Sequence, residues 1–323
     1  MPAAIGHFGL VADIGGTHAR FARVDAGGRP GEAQSFPVAD YPNVFEAARA
    51  YLGRDEPEAL VFAVAGPVTE GRIHFTNSGW VFSEGELREQ LGVRHARLIN
   101  DFEAQARAVA HLPAQALVHL GSPRDFDARQ DGTMALVGPG TGLGVGGLVR
   151  AGKSEIALVT EGGHASLAPL DEAEVAILEV LMKRFGHVSA ERVLSGPGLV
   201  NLYEAMSETE SMIRTPPEPS TITEKARRDP ASFEGRVFAR FCAMLGSVAG
   251  DVALTMGARS GVLIAGGILP DMVELFQASD FRKRFEAKGR FADYMKAIPT
   301  LLIVEPNAGL IGAGAVLASM REI

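Results

Sequence analysis

Two glycine-rich segments, each directly behind a short apolar run, constrain the fold of this chain more than any other feature. The first is Asp13-Ile14-Gly15-Gly16-Thr17, behind Gly9-Leu10-Val11-Ala12. The second is Gly138-Pro139-Gly140-Thr141-Gly142-Leu143-Gly144, behind Met134-Ala135-Leu136-Val137. A short apolar run closed by glycine reads as a buried strand. Glycine lets the backbone approach a ligand closely, so that successive N–H groups converge on an anion. It also serves ordinary hairpins, and one such loop alone does not separate the two readings. Two loops a domain length apart imply two lobes gripping one phosphorylated ligand from opposite sides. Their spacing is far longer than that of solenoid repeats and fits duplication of a whole domain.

At 323 residues the chain exceeds the usual size of a single core, which also predicts two domains. Its net charge of -8 argues against a nucleic-acid surface, which needs a basic footprint. A phosphate site here has to rest on backbone N–H groups, helix ends and a metal ion, because no lysine cluster marks one. The lone cysteine, Cys242, excludes an internal disulfide and a multi-cysteine zinc site, and within Phe241-Cys242-Ala243-Met244-Leu245 it reads as core. Met1-Pro2-Ala3-Ala4 has neither the basic start nor the apolar run of a signal peptide. The uncharged stretch between Asp131 and Arg150 is broken by glycines and reads as strand, loop and strand rather than a membrane span. A cytoplasmic protein is expected.

Strand and helix signals alternate through the first third, which predicts an α/β domain with a partly parallel sheet. Strands are expected at 8–12, 19–24, 60–65 and 96–99, with helices at 43–52, capped by Asn43 and stopped by Gly53, and at 83–91. Further on, Asp171 and Glu174 form a capping box before Ile177, Leu181 and Phe185, and Gly186 ends that helix. Other helices are expected from near Ser189, from near Pro197, over 233–256 and over 309–320, and strands over 261–267 and 301–304. The segment from Met212 to about Ser220 reads as an exposed loop.

Asp101 follows the strand Arg97-Leu98-Ile99 at once, where open α/β sheets place a ligand crevice. It could accept a proton from a substrate hydroxyl while Asn100 orients that substrate; the alternative is an ordinary helix N-cap. Glu161-Gly162-Gly163-His164 holds a polar pair on a loop, with acceptors and donors suited to sugar hydroxyls. His187 and Glu191 follow four residues apart, so a metal site from Glu161, His164, His187 and Glu191 is the competing reading, although the spacing is no recognised ligand pattern. Asp13 could hold magnesium through water, and Thr17 and Thr141 suit phosphate. Gly266-Gly267, after a buried strand, would admit adenine or ribose or simply allow close packing.

Taken together, Asp13–Thr17, Asn100-Asp101-Phe102, Gly138–Gly144, Glu161-Gly162-Gly163-His164, His187–Gly196 and Leu263–Gly267 resemble bacterial glucokinase of the proteobacterial type, within the hexokinase, actin and heat-shock ATPase superfamily. The likeness spans nearly the whole chain, and the stretch around Glu191 is its most specific part. It implies a two-lobed α/β, actin-like ATPase (ribonuclease H-like) fold with the active site in the interlobe cleft. The small lobe would comprise 1–108 plus 302–323 and the large lobe 109–301. It further implies ATP with Mg2+ as donor, glucose as acceptor and a homodimer. By the same resemblance, Asp101 is the catalytic base and Asn100, Asp101, Glu161, His164 and Glu191 bind glucose. Gly15, Gly16, Thr17, Gly138, Gly140, Thr141 and Gly142 then belong to the phosphate segments with Asp13, which carries the metal through water, and Gly266 and Gly267 to the adenosine segment. Two positions depart from the family pattern: His18 replaces the usual asparagine after Gly-Gly-Thr, and Pro139 replaces a small residue in the second loop.

Competing readings are a kinase for another hexose or an N-acetylhexosamine, a sugar-sensing regulator on a degenerate kinase fold, and an actin-like filament ATPase. The related repressor, ORF and kinase group carries a cysteine-rich zinc motif that one cysteine does not provide. A regulator would need a DNA-binding segment ahead of the first strand, and a filament protein has no use for Glu161, His164 and Glu191.

Overall fold

The computed structural model describes residues 9–75, 79–152, 154–212 and 214–321; Phe8, expected in the first strand, lies outside them. Two compact units are present, one running to Ala114 and resuming at Glu305, the other spanning Gln115–Val304.

In the first unit the strands are β1 (Gly9–Ile14), β2 (His18–Val24), β3 (Gln34–Pro37), β4 (Ala59–Val64), β5 (Arg72–His74), β6 (Val81–Ser83) and β7 (His95–Asn100). Five of them form one sheet in the order β3-β2-β1-β4-β7, while β5 and β6 pair as a separate ribbon. The first three strands are an antiparallel meander, and β4 and β7 add in parallel beside β1. β4 is buried at every position, the pattern of a strand covered on both faces. One face carries α1 (Val44–Leu52) and α2 (Glu84–Leu91) over Phe21, Phe62, Trp80 and Phe82. Both helices start as the sequence predicts: Asn43 accepts from Glu46 N–H and Ser83 from Glu86 N–H. The other face carries Leu310, Ala313, Val316 and Leu317 of the C-terminal helix, Ala308–Arg321, which packs with α3 (Asp101–Ala108). That crossing is close because residue 312 is glycine: a Cβ there would stand 1.7 Å from the Ala104 carbonyl oxygen.

The second unit repeats this plan. Its strands are β8 (Leu117–His119), β9 (Gly132–Pro139), β10 (Leu143–Ala151), β11 (Ser154–Thr160), β12 (Gly261–Ile264) and β13 (Thr300–Ile303). The order is β11-β10-β9-β12-β13-β8, again a meander of three with two parallel strands beyond the first, plus β8 antiparallel at the edge. Its helices are α4 (Glu172–Phe185), α5 (Gly196–Thr209), α6 (Pro219–Arg228), α7 (Phe233–Met256), α8 (Val273–Ala278), α9 (Phe281–Glu286) and α10 (Ala292–Lys296). Among the described residues α7 is the one helix long and apolar enough to cross a membrane, and 67% of its apolar window is buried in this core. Cys242 lies on it, fully buried, and desolvation pushes its thiol far above the ordinary range.

Three local expectations are corrected. The helix expected near Ser189 is a single 3-10 turn, Ala190–Arg192, because Ser195 starts a new helix by capping Gly198 N–H. The loop expected to about Ser220 yields at Pro219 to α6, where proline occupies the first helical position without losing a bond; Ile213 lies outside the described residues. In the capping box, Asp171 accepts from Glu174 N–H as expected, but the Glu174 carboxylate takes Leu170 N–H. That side chain is 1% exposed, and the guanidiniums of Arg284 and Arg240 compensate its burial at 2.8 and 3.1 Å.

One substitution should have opposite signs at two glycines. Gly312→Ala forces a backbone contact apart and should cost about 1–3 kcal/mol. Gly85→Ala, in α2 with its nearest neighbour at 3.8 Å, should stabilise by about 1 kcal/mol through helix propensity. Urea denaturation of both variants measures the difference, and a neutral Gly312→Ala would show that the crossing is loose.

Candidate functional site

Both units bring their sequence-predicted residues to the carboxyl ends of parallel strands. In the first, Ile14, Val64 and Asn100 stand in register at the ends of β1, β4 and β7. Gly15-Gly16-Thr17 and Asp101 therefore leave the sheet at one edge. The glycine loop is the hairpin between β1 and β2, closed by Gly15 N–H to the His18 carbonyl at 2.9 Å. Hairpin and candidate phosphate loop are thus one structure, and the two readings of the sequence do not compete. His18 opens β2, with its Nδ1 3.1 Å from Thr17 Oγ1.

Asp13 ends up opposite Arg20 in this hairpin, and a guanidinium nitrogen lies 3.7 Å from its carboxylate. Desolvation raises the Asp13 pKa, and Arg20 only partly opposes the rise. Gly309 leaves room for the carboxylate, since a Cβ there would come within 2.9 Å of it. Arg20 went unread in the sequence; antiparallel register across a tight Gly-Gly turn was the signal that could have found it.

Asn100, and not Asp101, is the N-cap of α3. Its Oδ1 accepts from Phe102 N–H at 2.9 Å and from Glu103 N–H at 3.4 Å, and its Nδ2 donates to the Gly66 carbonyl at 3.1 Å. The carboxamide is therefore held from two sides, with one Nδ2 hydrogen beyond these bonds. Asp101 is the first helical residue, half-buried, and its Oδ1 accepts from Phe102 N–H at 3.0 Å.

In the second unit Val137 and Ile264 are in register, so the end of β9 at Gly138-Pro139, the turn Gly140–Gly142 and Gly266-Gly267 after β12 lie at one edge. They touch: Gly266 has φ 86°, and a Cβ there would lie 2.2 Å from the Pro139 carbonyl oxygen. Pro139 ends β9 opposite Leu143 without disturbing the pairing. The turn itself is held by Gly140 N–H to the Gly142 carbonyl and by Gly196 N–H, at the start of α5, to the Gly140 carbonyl, both 2.8 Å. Thr141 at its tip is exposed.

Glu161, His164 and Glu191 converge beside that turn. His164 Nε2 lies 3.9 Å from Glu161 Oε2, and its Nδ1 lies 3.9 Å from Glu191 Oε1. Glu161 and His164 are mostly exposed, whereas Glu191 is two-thirds covered and its Oε2 accepts from Leu143 N–H at 2.9 Å. The Gly162–His164 turn rests on β10, where Thr160 Oγ1 donates to the Val145 carbonyl at 2.7 Å. His187 instead lies 3.1 Å from Ser166 Oγ. Among the described residues no group of three or more His, Cys, Asp or Glu side chains has the geometry to hold a metal directly. The trio offers carboxylate acceptors and an imidazole at short range, a set suited to several hydroxyls of one polyol.

Comparison with known proteins places the chain in a family. The family model for glucokinase matches residues 10–320. The glucokinase of Caulobacter sp. strain K31 is 47% identical over 315 residues, covering 96% of this chain and 94% of that one. The crystal structure of glucokinase from an Antarctic psychrotroph superposes with a TM-score of 0.85 at 37% identity, covering 97% of this chain and 99% of that one. A ROK family glucokinase from Streptomyces griseus, in complex with glucose and AMPPNP, gives a TM-score of 0.65 at 20% identity over 97% of this chain and 99% of its own, a likeness of fold alone. By the family match and by identity along nearly its whole length, this chain belongs to the glucokinase family, in its proteobacterial form.

Proposed function

We propose that this chain transfers the terminal phosphoryl group of ATP to the 6-hydroxyl of glucose, in a cleft between a small and a large lobe. The convergence of Glu161, His164 and Glu191 on the turn that carries Gly140-Thr141-Gly142 supports this reading most directly. A polyol site bonded to a phosphate loop is what a sugar kinase needs.

In this reading Glu161, His164, Glu191 and Asn100 hold the sugar hydroxyls. Asp101 takes the proton from O6 as that oxygen bonds to the γ-phosphorus, while the bond from phosphorus to the bridging oxygen breaks and ADP leaves. A base in this role has to be well placed more than strongly basic, and α3 places Asp101 through its first turn. Gly16 and Thr17 on one side, and Thr141 and Gly142 on the other, present backbone N–H groups and hydroxyls to the phosphates, while Gly15, Gly138 and Gly140 shape and close the two turns. Gly266 and Gly267 let the adenosine lie against the backbone. Asp13 fits magnesium: one carboxylate suits an ion that keeps most of its waters, and the raised Asp13 pKa marks a negative charge short of compensation. The ion, when bound, neutralises phosphate charge. Water is the competing acceptor, so closure of the lobes on sugar assembles the site. A homodimer in the cytoplasm completes the proposal, and the mass in solution checks the dimer.

ADP release across glucose, mannose, fructose, N-acetylglucosamine and no sugar tests the assignment. Turnover should be strong with glucose and weak with the rest; preference for another sugar would move the substrate while keeping the chemistry. Asp101→Asn should retain glucose binding by calorimetry and lose turnover by about 10²–10⁴-fold, the usual worth of a general base. Near-normal turnover would remove Asp101 from the reaction. Glu161→Gln should raise the KM for glucose with a smaller change in kcat, and an unchanged KM would count against its contact with sugar.

Asp13 carries a further expectation. A carboxyl whose pKa is raised on folding stabilises the fold at low pH and loses that contribution as pH rises through the folded value. Without metal or nucleotide, Asp13→Asn should therefore melt above the wild type at pH 7, with the gap closing toward pH 4, while losing activity. A lower melting point at pH 7 would show that the Asp13 charge is well compensated.

A further inference from the structure

We infer that Glu191 is the coupler between the sugar and nucleotide sites: one oxygen of its carboxylate serves the sugar, and the other positions the phosphate turn. The inference rests on the reading of Glu191 as a glucose ligand and adds a second role to it. Its two oxygens already point to different neighbours. Oε1 faces His164 Nδ1 at 3.9 Å, on the sugar side, and Oε2 accepts from Leu143 N–H at 2.9 Å, at the end of the glycine turn. A carboxylate accepting from a backbone N–H makes a charge-assisted bond, stronger than the neutral bonds elsewhere in the turn.

The same short segment grips the turn at its other end. Ser195 Oγ donates to the Glu191 carbonyl at 2.9 Å, and Gly196 N–H donates to the Gly140 carbonyl at 2.8 Å. Residues 191–196 thus hold Gly140 and Leu143 from one side, and the turn between them has no independent position. The backbone of Gly163 closes over it as well, since a Cβ there would fall 2.0 Å from the Leu143 carbonyl oxygen. Sugar hydroxyls that fix the Glu191 carboxylate fix the N–H groups of the turn, so the nucleotide meets a donor set already ordered. Pre-ordering of this kind raises affinity by removing an ordering cost, and the gain is reciprocal between the two ligands.

Gly142 offers an independent handle. A Cβ there would lie 2.5 Å from Glu191 Oε2, the far end of a flexible side chain. Gly142→Ala should therefore push the carboxylate aside and leave the fold intact. Calorimetry with glucose alone reads the result: its Kd should rise on the order of tenfold although no nucleotide is present, and circular dichroism should match the wild type. A turn that only cradles phosphate would leave that Kd unchanged, which would overturn the inference.

The second measurement is the ratio of AMPPNP dissociation constants without and with saturating glucose. In the wild type glucose should tighten AMPPNP on the order of tenfold, within the ordinary range of coupling between sites. Glu191→Ala should bring the ratio near one at saturating sugar. Glu191→Gln keeps an acceptor for Leu143 N–H, so it should restore the ratio while still binding glucose weakly. Weakened glucose binding with an unchanged ratio in Glu191→Ala would overturn the coupling alone. Glucose binding unaffected by both variants would overturn the sugar assignment and the coupling with it.

Discussion

Parallel pairing of the central strands is the constraint on which the site in each unit depends. Where β4 and β7 run beside β1 in register, the carboxyl ends of all three strands reach one edge together, and their exits are neighbours. β9 and β12 do the same for the Gly138 and Gly266 segments. Side chains from distant points of the sequence need no long loops to meet. A hydrogen-bonded sheet fixes the spacing of its strands, so backbone at that edge is held as tightly as backbone in the core. This rigidity is what a site working through main-chain N–H groups requires, because those groups cannot rotate into place as side chains do.

Close backbone contact is the second theme, and glycine permits it. Gly312 lets the C-terminal helix cross α3 at Ala104, three residues into the helix that begins with Asp101. Gly266 lets the segment after β12 lie on the Pro139 carbonyl. In each case the absent side chain makes room beside a segment that the proposed reading assigns to the site: α3 with Asp101, and the Gly138–Gly142 turn. In that reading the groups assigned to the reaction are positioned by what is left out of the packing around them.

Much of this was legible in the sequence because it rests on local rules. Both glycine loops stand behind apolar runs, Asn43, Ser83 and Asp171 announce helix starts, and 233–256 reads as a helix from end to end. The pieces that did not read are those whose reason is tertiary. β3 is only Gln34–Pro37 and carries no alternation, while β11 is an edge strand with Ile156 and Val159 exposed, so neither shows the apolar signature of a core strand. The short helices α8 to α10 lack the length for a periodic stripe. Within the site, Glu161, His164 and Glu191 were legible as residue types, but the bond from Glu191 to Leu143 joins residues 48 apart and no spacing rule foretells it. Asn100 read as a residue that orients substrate, and most of its carboxamide is committed to the cap of α3 and to Gly66.

That last point bears on how an acidic chain binds a polyanion. With a net charge of -8, no lysine cluster and Arg20 already turned to Asp13, phosphate binding at these loops, as proposed, rests mainly on main-chain N–H groups held by strand pairing. Main-chain donors carry only partial charges and are effective when several converge without rearrangement. Any carboxylate nearby then has to be accounted for. Glu191 is such a carboxylate, and its bond to Leu143 N–H offsets its charge with a donor at the edge of the turn while fixing that turn in place. A lysine in the same position would attract phosphate directly, but it would offer sugar hydroxyls no acceptor. In the proposed reading the glutamate gives up some attraction for nucleotide and gains an acceptor for the sugar, while its bond to Leu143 N–H anchors the loop.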